Sequence, residues 1–192
     1  MYNSAQLQET KGPVIAKTPE QDSVVDHGAA QMRIKKRNGT LEPVDVNKIV
    51  KAVHRCCAGL DHVDANRVAI RTISGIYDGA TTNELDQLSI QTAASLISEE
   101  PQYSKLAARL LSLFMDKEVK GEDIQSFSQS IRSGHRLGII SDELAESVEK
   151  NKRKINHAID NSHESNFEYF GLRTVYDRYL LKHPENRNII ET

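Results

Sequence analysis

From Met32 onward the apolar positions follow two successive rhythms, alternation and then spacings of three and four. Ile34 and Lys36 alternate along a short strand, Asn38-Gly39 is expected to supply the two positive-φ positions of a tight hairpin turn, and Leu41 to Val44 fit the returning strand. Asp45 is placed to cap a helix over about Val46 to Ala58, with Ile49, Val53 and Leu60 recurring behind it. A second helix is expected over about Asp64 to Tyr77, with Val68, Ile73, Ile76 and Tyr77 on one side and Asp78-Gly79 ending it. A third begins at Thr81 or Thr82, where Thr81-x-x-Glu84 has the form of a capping box, and carries Leu85, Leu88, Thr92 and Leu96. A fourth follows Pro101 with Tyr103, Leu106, Leu110, Leu113 and Phe114. Four amphipathic helices with short connections predict a mostly α domain over residues 32–121, a small four-helix bundle capped by a short β-hairpin or three-stranded sheet.

The flanks read differently. Residues 1–31 are polar and turn-rich, broken by Gly12-Pro13, Pro19 and Gly28, and are expected to form a flexible tail. Residues 122–192 predict an appended helical segment, with short helices over Ile124 to Ile131, Ser141 to Val148 and Phe167 to Leu181. Apolar side chains are too few there for a second core, so the segment should pack against the bundle or against something outside it. The spacing of Phe167, Tyr169, Phe170, Tyr176 and Tyr179 fits a helix packing face better than a stacking surface.

A net charge of -2 over 192 residues gives no global attraction to nucleic acid or to an anionic membrane, so anion binding must come from local clusters. One such cluster exists. Lys36, Arg37 and Lys48 are expected to converge where the hairpin meets a helix start, a place where cations and free amides can together neutralise phosphate. Cys56 and Cys57 are adjacent on a helix, a poor geometry for a metal or a disulfide, and read as small apolar residues in a reducing compartment. No run reaches the length of a membrane span and no secretory leader is evident, which points to the cytoplasm. The seven histidines form no metal-ligand spacing, and no Gly-x-x-x-x-Gly-Lys-Ser/Thr occurs, so a nucleotide would not be held in a P-loop and hydrolysis has no support.

Ile34-x-Lys36-Arg37-Asn38-Gly39, followed by Glu42, Asp45 and Lys48-Ile49, resembles the opening of an ATP-cone, the regulatory nucleotide-binding domain at the N-terminus of many ribonucleotide reductase large subunits. Tyr77-Asp78-Gly79 with Thr82, then Ala93-Ala94-x-Leu96-Ile97-Ser98 and Tyr103-x-x-Leu106-Ala107-Ala108-Arg109-Leu110, resemble the later helices of such cones in class I aerobic enzymes. Phe167 through Gly171-Leu172 to Arg178-Tyr179-Leu180 is similar to the stretch leading into their catalytic barrel.

The resemblance implies nucleotide contacts. Lys36 and Lys48 match lysines that meet the phosphates, Arg37 stands beside them, Lys117 matches a further phosphate lysine, and Thr82 matches a threonine that donates to phosphate. The stretch Glu42-Pro43-Val44-Asp45-Val46-Asn47 matches the part that recognises base and sugar. The chain departs from the pattern with Asp45 in place of an asparagine, and with Asp86 and Phe114 where histidines can stand, which bears on ATP against dATP and on one nucleotide against two.

The chemistry of ribonucleotide reduction needs cysteines inside a barrel, and this chain has only the adjacent pair Cys56 and Cys57, so by itself it should be catalytically inactive. The expected function is therefore the N-terminal allosteric part of a ribonucleoside-diphosphate reductase large subunit. ATP would act as activator and dATP as inhibitor, with Mg2+ accompanying the nucleotide. The partners implied are the catalytic barrel, the small radical-generating subunit and a second copy through the cone. A rival is a nucleotide-responsive nucleic-acid binder or transcriptional regulator using the basic hairpin. The repressor relatives of that kind carry a four-cysteine zinc ribbon that these two cysteines cannot form.

Overall fold

The computed structural model describes residues 32–160 and 166–191. The expected tail, residues 1–31, lies outside the described residues. The described residues group into one compact unit, and among them a two-stranded antiparallel sheet, β1 (Arg33–Lys35) and β2 (Leu41–Pro43), is followed by seven helices. These are α1 (Val46–Cys57), α2 (Ala65–Ser74), α3 (Thr82–Ser95), α4 (Tyr103–Gly121), α5 (Phe127–Arg136), α6 (Asp142–Ala158) and α7 (Tyr169–Arg178). The architecture is mostly α, as the periodicity predicts.

Local chemistry starts the helices. Asp45 accepts from the Asn47 amide at α1, Asp64 from Arg67 at α2, and Thr81 and Glu84 close a reciprocal capping box at α3. The third element of the sheet is a single residue: Thr81 bridges Lys35 in parallel, Lys35 N donates to Ala80 O at 2.8 Å and Gly79 N donates to Arg33 O at 2.8 Å. These bonds fix the hairpin to the start of α3.

α4 is the central helix, packed by α1, α3 and α7. Its Leu106, Leu111 and Phe114 are buried together with Val53, Val68, Ile90 and Leu96. Arg109 donates from Nη1 to the carbonyls of Cys56 and Ala58 at 2.9 and 2.7 Å, satisfying acceptors that the end of α1 leaves free. The two thiols pack at the edge of this core. Burial pushes Cys56 up and Cys57 up to about 11, so both stay protonated at neutral pH.

Several boundaries differ from expectation for physical reasons. The turn is a three-residue loop, with Lys36 N donating to Thr40 O and Gly39 N to Lys36 O at 2.8 Å each. Only Gly39 has positive φ, at 84°, while the Asn38 side chain accepts from the Thr40 amide and hydroxyl. α2 ends at Ser74 with Gly75 as its C-cap, the Gly75 and Ile76 amides turning back to the Thr72 and Ile73 carbonyls, and Gly75 packs so closely on α3 that a Cβ would lie 2.8 Å from a Leu88 methyl. Tyr77-Asp78-Gly79 is thus a connection, in which the Asp78 carboxylate accepts from the Arg33 amide at 2.8 Å.

α5 starts at Phe127, after Ile124 has entered a second apolar cluster with Val119, Ile189 and Ile190. α6 runs ten residues past Val148 through a polar stretch carried by Lys150–Glu146 and Lys152–Glu149 pairs and by bonds between Asn156 and Ser128. α7 is shorter than expected, and its aromatic side chains divide. Tyr169 and Tyr176 pack inward beside Leu172, whereas Phe170 and Tyr179 are 67% and 72% exposed, so the expected single packing face holds for only part of them. Leu180 and Leu181 continue into the second cluster, where Lys182 bridges Ile189.

Candidate functional site

A cavity of about 590 Å³ lies among the hairpin, the start of α1, the first turns of α3 and the second half of α4. Each element delivers one face. β1, the turn and β2 bring Ile34, Lys36, Arg37, Asn38, Glu42, Pro43 and Val44. The α1 cap and its helical successors bring Asp45, Lys48, Ile49, Ala52 and Val53. α3 contributes Thr82, Leu85, Asp86 and Ser89, and α4 contributes Leu110, Leu113, Lys117 and Lys120.

Of the residues selected from sequence, Lys36, Arg37, Glu42, Pro43, Val44, Asp45, Lys48, Thr82 and Lys117 line this one cavity. Val46 and Asn47 do not. Val46 is 40% exposed, and the contribution of Asn47 is the amide it donates to the Asp45 cap. The lining residues not selected as contacts were Asn38, Asp86, Ser89, Lys120 and the apolar side chains, Asp86 entering the sequence reading only as a departure from the family pattern. On α3 and α4 the signal is helical spacing: 82, 85, 86 and 89 share a face of α3, and 110, 113, 117 and 120 share a face of α4.

The lining combines charged side chains with apolar ones. Five cations, Lys36, Arg37, Lys48, Lys117 and Lys120, face three carboxylates, Glu42, Asp45 and Asp86. Most are paired within the site. Lys36 Nζ lies 2.6 Å from Glu42, Lys48 Nζ 3.9 Å from Asp45, Lys117 Nζ 2.7 Å from Asp86, and Arg37 Nη2 3.8 Å from the other Asp86 oxygen. The excess is two positive charges, and the pairs are partly solvated, so an entering polyanion can exchange a carboxylate partner for a phosphate at modest cost. Thr82, at the first turn of α3, adds a hydroxyl beside a helix N-terminus. Ile34, Ile49, Ala52, Val53, Leu85, Leu110 and Leu113 add an apolar surface on which a planar ring can be buried.

Among the described residues no group of three or more His, Cys, Asp or Glu is arranged to hold a metal ion. None of the described helices is long and apolar enough to cross a membrane.

A cavity of this size with both charged and apolar lining is of the kind that takes small ligands, and residues 32–118 match the family model of the ATP cone domain. The similarity extends beyond the cone. The chain is 36% identical over 168 residues to the ribonucleoside-diphosphate reductase large subunit of Vaccinia virus (strain Copenhagen), covering 83% of this chain and 21% of the relative. It is 37% identical over 167 residues to the large subunit of Caenorhabditis elegans, covering 81% and 20%. It is 36% identical over 158 residues to the large chain of Neurospora crassa, covering 79% and 17%. Residues 32–118 thus carry an ATP cone, and about four fifths of the chain is similar to ribonucleoside-diphosphate reductase large subunits, of whose length it spans about a fifth.

Proposed function

We propose that the cavity is an allosteric adenine-nucleotide site through which ATP and dATP control a cytoplasmic ribonucleoside-diphosphate reductase. The observation that carries this reading is the convergence of Lys36, Arg37, Lys48, Lys117 and Thr82 on one cavity that is also lined by apolar side chains. The phosphates are assigned to the cations and the Thr82 hydroxyl, and the base to the wall formed by Ile49, Val53 and Leu85. Glu42 and Asp45 can accept from the adenine amino group or a ribose hydroxyl. Every carboxylate of the rim faces a cation, so Mg2+ would enter on the phosphates rather than on protein ligands.

Regulation follows from linkage, since a nucleotide shifts an equilibrium between assemblies only as far as its affinity for them differs. ATP favours the active arrangement with the catalytic barrel and the small radical-generating subunit, and dATP an inhibited oligomer built through the cone. Isothermal calorimetry on the folded chain should give micromolar dissociation constants for both nucleotides, on the order of -8 kcal/mol. The double variant Lys36→Ala, Lys48→Ala should abolish that heat while leaving helicity unchanged. Absence of heat with either nucleotide, or salt-sensitive duplex binding that ATP does not affect, would overturn the reading.

A further inference from the structure

Arg37 sits on the cavity rim and also on an aromatic stack that leaves the cavity. Its guanidinium carbon lies 5.7 Å from the centroid of Phe114, a side chain of α4 that is 1% exposed. Phe114 in turn meets the edge of Tyr176 of α7, with ring centroids 5.9 Å apart and planes at 65°. Tyr176 is held on several sides: its hydroxyl donates to Glu118 Oε2 at 3.0 Å, and Lys182 and Arg173 lie 4.7 and 5.3 Å from its ring centroid. Arg173 also reaches Gln87 Oε1 at 3.4 Å, next to the cavity residue Asp86.

The ties on Arg37 itself are few. Its closest carboxylate, Asp86, is 3.8 Å away and already taken at 2.7 Å by Lys117. The Phe114 face is thus the firmer constraint on where the guanidinium waits, and the Phe114 ring is fixed by Tyr176. We propose that Phe114 and Tyr176 are positioning residues for Arg37, so that occupancy of the cavity by a polyphosphate and the packing of α7 are coupled. The proposal rests on the nucleotide reading of the cavity and adds the route by which filling it is felt at the C-terminal helix.

The coupling has a specific signature. Arginine engages phosphate through a planar fork, so a freed guanidinium weakens recognition of the phosphate chain and leaves the base slot untouched. Calorimetry with ATP and with AMP should show that Tyr176→Leu lowers ATP affinity about fivefold with AMP little changed. Tyr176→Phe, which keeps the ring and loses the Glu118 bond, should retain the wild-type ratio. Phe114→Leu, which removes the ring from the other side, should lower the ratio as Tyr176→Leu does. By reciprocity, ATP should slow amide hydrogen exchange across Val175–Tyr179 in the wild-type chain and not in Tyr176→Leu. An equal loss for ATP and AMP, an unchanged ratio in both leucine variants, or exchange in α7 that ignores ATP would overturn the coupling. A folded wild-type chain that binds neither nucleotide would instead remove the nucleotide reading, and this proposal with it.

Discussion

The ammonium of Lys117 lies 2.7 Å from the carboxylate of Asp86, whose second oxygen the Arg37 guanidinium approaches at 3.8 Å. One acidic side chain from α3 therefore pairs closely with a cation from α4 and lies within longer reach of another from the hairpin turn, and all three line the cavity. Asp86 acts as a stand-in anion. It keeps Lys117 in place, reaches Arg37 only at the longer distance, and would compete with any phosphate that enters.

Asp86→Asn removes the competing charge while keeping the volume. It should tighten ATP about fivefold, as expected for deleting one partly solvated like charge beside a polyanion. The gain should be smaller for AMP and should shrink with added salt. Titrations of ATP and AMP at two ionic strengths measure it, and weaker ATP binding by the variant would show that Asp86 contacts the nucleotide as an acceptor instead.

Lys117→Met tests the cation that sequence supports least by itself, since it sits in the mixed-charge run Asp116-Lys117-Glu118-Val119-Lys120. Loss of one charge-assisted phosphate contact, about 1.5–3 kcal/mol, should weaken ATP by roughly ten- to a hundredfold. The melting temperature should change little, because a pair with Lys117 42% exposed contributes little to folding. Calorimetry and a thermal melt on one preparation separate the two effects.

What the sequence makes legible here is local, and what it hides is tertiary. Asp45, Asp64, the Thr81–Glu84 box and Ser141 all cap helices where their residue types suggest, because a cap needs only a few neighbouring residues. The end of α2 is marked locally by Gly75, but Ile76 and Tyr77 carry the apolar helical spacing past it and so mask the stop. The last ten residues of α6 were hidden because ion pairs and the Asn156–Ser128 bonds stabilise them without an apolar stripe. At the site, the cations could be selected from the motif and its resemblance. Asp86 could not be recognised as their common partner, since the three residues span 80 positions and meet only in the fold.

Two glutamates should respond to pH in opposite senses. The Thr81 amide and hydroxyl, with the Tyr77 hydroxyl, hold Glu84 below the usual carboxylate range. Its contribution is present above the ordinary glutamate value and is lost as pH falls through the lowered one. Burial pushes Glu118 up, opposed by the Tyr176 hydroxyl, Arg37, Lys182 and the Ile189 amide. Its charged form is the costly one, so that contribution is best at low pH and is lost as pH rises through the raised value. Urea midpoints at several pH values should therefore show a flatter acid-side decline for Glu84→Gln. Glu118→Gln should show a smaller decline toward neutrality than the wild-type chain.

Gly134 of α5 offers a test of how independent the α5–α6 hairpin is from the cavity. A Cβ at this position would stand 2.7 Å from Cγ1 of Ile140 and 3.8 Å from its Cβ, so relief requires the base of a branched side chain to move. Gly134→Ala should cost about 1–3 kcal/mol through overpacking, offset in part by the helix preference of alanine. The second substitution Ile140→Ala should recover most of that loss by opening the space. None of the cavity residues lies on α5 or α6, so ATP affinity should be unchanged in both variants at temperatures where they remain folded. Denaturant titrations read the first effect and calorimetry the second. A loss of nucleotide affinity that tracks the loss of stability would show that the hairpin is energetically continuous with the cone.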